Sequence, residues 1–133
     1  MEQSEFIIEA VKVIDRAVIM SEKVRKEGLL AIEDDIDREK LVQRDIFELG
    51  MCLLVDGHDY NTVDKILTLI MGHTSEHDIF RIKSMQKDAV LSIQAGDNIS
   101  ILYLLLTSRL NNQELGEVLK ISPSKSHYIG QSV

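Results

Sequence analysis

Tryptophan is absent from this chain of 133 residues, cysteine and proline occur once each, and glycine occurs seven times. A lone cysteine, Cys52, excludes an internal disulfide and a zinc site built from thiolates alone. So little proline and glycine leaves few breaks in the chain, which disfavours a turn-rich β fold and favours helices. Positive charge is in deficit: 15 Lys and Arg stand against 22 Asp and Glu, a formal net charge of −7. A nucleic-acid binder needs a basic face to neutralise phosphates, so no nucleic-acid partner is expected. Long apolar runs are missing as well. The longest, Ile101-Leu102-Tyr103-Leu104-Leu105-Leu106, falls far short of the roughly 20 residues that cross a bilayer. The acidic opening Met1-Glu2-Gln3-Ser4-Glu5 lacks the basic start of a secretory signal. These absences predict a soluble, cytoplasmic protein without a membrane span. The length suits one domain whose core needs no disulfide or metal.

What is present is helical periodicity. Ile7, Ala10, Val11, Ile14, Ala17, Val18 and Val24 recur at steps of three and four, which predicts a long N-terminal helix from about Glu5 toward Asp35. Gly28 is its one interruption. An unbroken helix of that length measures about 45 Å, whereas a domain of this size has a radius of gyration of about 14 Å. Such a helix overhangs its domain, and homo-oligomerisation is expected on that ground. A second helix is predicted over Arg38 to Val55, where Cys52 reads as a buried small hydrophobe. A third runs from Tyr60 to Met71, with Gly57 as the preceding cap and Asp59 as its N-cap. Ser75 and Asp78 suggest a variant capping box for a fourth, ending near Gln94. Asp97 is the expected cap of a fifth, over Ile99 to Arg109, and Asn111 with Glu114 opens a short sixth through Leu119. The fold class is all-α: a bundle or array of about six helices in one domain over residues 1–121. A flexible tail is expected over 122–133.

Chemistry-bearing patterns are sparse. His73-Thr74-Ser75-Glu76-His77 matches H-x-x-E-H, which on one helix face holds zinc through two histidines with the glutamate as base. Here Gly72 and the capping residues place His73 outside the helix that carries His77. A small metal-dependent hydrolase or metal-binding protein using His73, Glu76 and His77, with His58 nearby in sequence, is therefore the alternative reading. His58 and Asp59 resemble an acid–base pair, but helix capping accounts for Asp59. The carboxylate run Glu33 to Glu39 lacks the glycine of a calcium loop. No phosphate-binding glycine loop or nucleophile elbow occurs. A non-enzymatic protein without a cofactor is expected. The most basic point, Lys23 to Lys26, lies a few residues before the acidic run. On one rod Lys26 and Glu33, seven apart, are nearly in line. That makes a dipolar strip suited to docking a charged protein surface.

Two segments sharpen this reading. Val24-Arg25-Lys26-Glu27-Gly28-Leu29-Leu30-Ala31-Ile32-Glu33 resembles the A-R-K-x-G-L-L-A-L-E stretch of flagellar stator A-subunits, the MotA/PomA family. Gly50-Met51-Cys52-Leu53-Leu54-Val55-Asp56-Gly57-His58-Asp59 resembles the family's G-x-x-x-L-V-D-G-H-D at similar spacing, and Glu76-His77 falls where a short E-x-H element often occurs. The likeness covers about residues 19–78. It implies a relative of the stator's cytoplasmic part, without the family's membrane helices. It also implies that Arg25 and Glu33 take the places of its rotor-facing charges. Arg25, Lys26, Glu33 and Asp34 are accordingly the expected partner-binding residues, and a flagellar motor component is the expected partner.

Overall fold

A computed structural model describes residues 1–129. The first helix, α1, spans Gln3–Glu27 and buries Phe6, Ile7, Ala10, Val13, Ile14, Ala17, Val18 and Met20. At 25 residues it is about 37 Å long. It stops at Gly28, whose φ of +89° is one that L side chains rarely adopt. A 3-10 segment, Leu29–Asp35, then lies against α1 and buries Ile32. The helix expected to reach Asp35 is thus broken at Gly28, and the overhang inferred from its length does not arise.

The helix expected over Arg38–Val55 is two helices, α2 (Arg38–Val42) and α3 (Ile46–Val55). Between them Arg44 takes a positive φ of 55°. Gln43 closes the first, and Asp45 starts the second, because its carboxylate accepts from the Glu48 N–H at 2.9 Å, an N-cap geometry that competes with a continuous helix. The break lets α3 turn its apolar face onto the core. The remaining helices are α4 (Tyr60–Met71), α5 (His77–Ala95), α6 (Ile99–Thr107) and α7 (Asn112–Ile121).

Capping follows the sequence in some places and departs from it in others. Asp59 caps α4 through the Thr62 N–H at 2.8 Å, and Asn111 with Glu114 forms a reciprocal capping box on α7. Ser75 does not cap α5; Glu76 does, accepting from the Ile79 and Asp78 amides. Asp97 does not cap α6 either. Asn98 takes that role, while the Asp97 carboxylate accepts from the Ser92 hydroxyl at 2.8 Å.

The architecture is an all-α bundle around α5, which packs against α1, α3, α4 and α6, while α1 also meets α6 and α7. Gly50 marks the tightest crossing: a Cβ there would stand 2.6 Å from a methyl of Val90 on α5. Two buried carboxylates are paired. Glu48, 3% exposed, takes the Arg16 guanidinium at 2.7 Å, joining α3 to α1. Glu114, also buried, takes Arg81 through both oxygens at 2.6 and 3.1 Å, joining α7 to α5. Arg81 also lies 4.3 Å from the Phe6 ring centroid.

Of the stretch expected as a tail, residues 122–129 are described and 130–133 lie outside the described residues. Ser122 is buried, accepts from the Tyr103 hydroxyl at 2.9 Å and donates to Asp15 at 2.9 Å. Ser124 also donates to Asp15. Tyr128 meets the Tyr103 ring edge-on at 6.2 Å.

Candidate docking surface

The elbow at Gly28 divides the charges that the sequence singled out between two elements. Arg25 and Lys26 occupy the last turn of α1, where positive charge also complements the helix dipole. Both are exposed. The Arg25 guanidinium donates to the Asp97 carbonyl at 3.3 Å, which ties this end of α1 to the α5–α6 turn. Glu33 and Asp34 are exposed on the 3-10 segment. They share no helix with Arg25 and Lys26, because α1 ends at Glu27. The expected charged rod is therefore a bent strip of two elements joined at a glycine.

The strip is held from behind. Lys23 donates to the Asp35 carboxylate at 2.6 Å, and that hydrogen bond raises the lysine pKa above its ordinary value. Arg16 donates to the Asp35 carbonyl at 3.1 Å and to Glu48 at 2.7 Å. The second oxygen of Glu48 accepts from the Asp37 amide at 3.3 Å. Asp35 is thus engaged by Lys23 and Arg16, and all three acids, Glu33, Asp34 and Asp35, are exposed. Glu33 has only a 3.9 Å pairing with Arg38, weak at an exposed site. On the same segment Leu30 is 71% exposed, an apolar side chain on the element that carries the exposed carboxylates.

The second motif, Gly50 to Asp59, is structural. Gly50 admits Val90, and Gly57 takes the positive φ of 86° that turns the chain between α3 and α4. The His58 carbonyl accepts from Gln94 at 2.8 Å. The Asp59 carboxyl is held below its ordinary pKa, first by the Thr62 backbone N–H. Burial pushes the Cys52 thiol pKa up, which disfavours a reactive thiolate.

His73, Glu76 and His77 are not assembled into a centre. Glu76 spends its oxygens on the first amides of α5, and the Ile79 N–H is the main cause of its lowered pKa. Among the described residues no group of three or more His, Cys, Asp or Glu is placed to hold a metal ion. Among those residues, too, no helix is long and apolar enough to cross a membrane. Sequence reasoning missed Arg16 and Glu48, the two groups that fix the strip. The available signal was a lone glutamate inside the apolar run Ile46 to Val55, a position that needs a cation partner when buried.

Motility protein A of Borreliella burgdorferi is 36% identical to this chain over 66 residues. The likeness covers 50% of this chain and 24% of that protein, so the chain spans about a quarter of the relative's length. The relationship to motility protein A is partial. No protein-family model matches the chain, and no solved structure matches it.

Proposed function

We propose that this chain is a non-enzymatic, cytoplasmic docking module of the flagellar motor apparatus, and that it engages a charged protein surface through Arg25, Lys26, Glu33 and Asp34. The observation that carries the reading is the exposed strip at the Gly28 elbow, in which outward charges of both signs flank Leu30 on a backbone pinned by Arg16, Lys23 and Glu48. The partial likeness to motility protein A supports the motor context. Charges presented this way set the register and association rate of a partner more than its final affinity. Long-range steering falls with salt as the Debye length shrinks from about 10 Å at 0.1 M to about 3 Å at 1 M.

The test is affinity capture from native cytoplasm with wild type and with the double reversal Arg25→Glu/Glu33→Arg. All four docking side chains are exposed, so the variant should keep the wild-type circular dichroism, with a melting temperature lowered by the loss of the Arg25–Asp97 hydrogen bond and by negative charge at the end of α1. It should lose the captured motor component. Undiminished capture by the folded variant would overturn the proposal.

A further inference from the structure

Helix α5 is the axis of the bundle, with α1, α3, α4 and α6 packed around it. One sector of its surface is left open. Asp88, Leu91, Ser92 and Ala95, at steps of three and four, line a cleft of about 470 Å³ whose walls include Tyr60 at the start of α4 and Leu105 on α6. Tyr60 is 47% and Leu105 43% exposed. Ile101 and Leu104 continue the apolar surface along α6. Both are exposed, and with Leu105 they fall within about 100° of arc on that helix. Helix α6 carries no charged residue. Exposed apolar side chains scattered singly are ordinary, whereas a contiguous set beside a cleft marks a contact surface.

The cleft opens at the end of the bundle that holds the docking strip. The Arg25 guanidinium donates to the Asp97 carbonyl at 3.3 Å, and Asp97 is part of the cleft wall. On the far side Gln94, in the last turn of α5, donates to the His58 carbonyl at 2.8 Å, two residues before Tyr60. A partner seated on Arg25 therefore lies one side chain from the cleft. The charges around the cleft say what fits it. Arg109 donates to both carboxylate oxygens of Asp88 at 2.8 and 3.2 Å, and Lys87, beside Asp88 on α5, is taken by Asp64 at 3.0 Å. The Asp97 carboxylate accepts from the Ser92 hydroxyl and has no ion pair among the described residues. The turn into α4 adds the exposed Asp56 and Asp59. Arg25 is the one cation set against these three acids, so the surround is acidic. A second copy would bring the same acids on a chain of net charge −7, so the occupant that matches is a basic segment of another protein. Building on the docking-strip reading, we propose that the same partner lays a cationic amphipathic helix in this cleft, with its aliphatic face on Tyr60, Leu91, Leu105 and the exposed side of α6 and a lysine or arginine at Asp97. A helix presenting aliphatic side chains three and four residues apart fills an apolar groove, and here it takes the vacant place between α4 and α6 against α5.

Fluorescence anisotropy of the full chain with labelled synthetic peptides of about 18 residues, long enough to form a helix, tests the proposal. One peptide repeats leucine at i, i+3, i+4 and i+7 with lysine elsewhere. A second has the same composition in scrambled order, and a third has glutamate in place of lysine. At physiological salt wild type should bind the first about tenfold more tightly than either of the others. Leu104→Ser/Leu105→Ser should lose that preference. Asp97→Asn, which can still accept from Ser92, should weaken the first peptide about threefold with unchanged circular dichroism. Equal binding of the ordered and scrambled lysine peptides by wild type, or undiminished preference in the folded double-serine variant, would overturn the inference. So would a wild-type dimer in sedimentation equilibrium that the double-serine variant dissolves, since a second copy would then occupy the cleft. None of the substituted residues belongs to the docking strip. Capture lost on strip reversal without any peptide preference sinks the cleft and leaves the strip, whereas peptide preference with capture intact on strip reversal sinks the strip and leaves the cleft.

Discussion

At the scale of single residues, the molecule depends on a few side chains whose environment reverses their usual behaviour. Gly50 sits inside α3, where alanine ordinarily gains about 1 kcal/mol of helix stability. Here the added methyl would meet Val90 at 2.6–2.8 Å. Val90 is fully buried and, being β-branched, has one preferred rotamer in a helix. Overpacking of this kind costs about 1–3 kcal/mol, so Gly50→Ala is expected to destabilise by about 1 kcal/mol net in urea denaturation. Arg81 is the opposite case, a charge that another charge requires. Arg81→Met leaves the Glu114 carboxylate buried and unpaired, with an expected loss of about 3–5 kcal/mol at pH 7. The Arg81 hydrogen bond holds the Glu114 pKa below its ordinary value. The pair therefore contributes its full stability above the unfolded carboxylate pKa of about 4.3, and loses it as pH falls through the lower folded value. The difference between wild type and Arg81→Met in denaturant midpoint should narrow as the pH is taken from 7 toward 3.

At the scale of elements, helix boundaries decide where charge is displayed. Gly28 ends α1 and turns the acidic run onto a separate segment, so Arg25 and Glu33 stand on two elements joined at the elbow and not along one rod. The start of α5 offers a direct comparison of two candidate caps. Glu76 accepts from two amides, and Ser75 makes no cap bond. Removing an N-cap acceptor typically costs about 1 kcal/mol. Thermal melts should therefore show Glu76→Ala lowering the midpoint while Ser75→Ala leaves it unchanged. Reversal of that order would place the helix start one residue earlier.

At the scale of the whole molecule, the last segment closes the bundle. Ser122 links Tyr103 on α6 to Asp15 on α1, partners 19 and 107 residues away in the chain. Truncation after Ile121 strips the buried Tyr103 hydroxyl of its acceptor and its ring of Tyr128. A buried polar group left unsatisfied costs about 1–3 kcal/mol. For a chain of this length that corresponds to a fall of several degrees, about 2–8 °C per kcal/mol, measurable by calorimetry. The same network holds the middle of α1, the helix whose end carries half of the proposed docking strip.

Legibility in the sequence follows the range of the interactions involved. The stripe of α1, the Gly57–Asp59 junction and the Asn111–Glu114 capping box were readable because helical periodicity and capping act over three or four residues. So were the exposed charges of Arg25, Lys26, Glu33 and Asp34. Only the tertiary structure decided that Arg38–Val55 splits at Asp45, that Glu76 and Asn98 cap where Ser75 and Asp97 were expected, and that Ser122 is buried. It also decided that Glu48 and Glu114 are internal and bound to Arg16 and Arg81, across separations of 32 and 33 residues. Those outcomes depend on which surfaces meet when helices pack. A buried carboxylate and an exposed one are the same letter until a distant guanidinium arrives beside one of them.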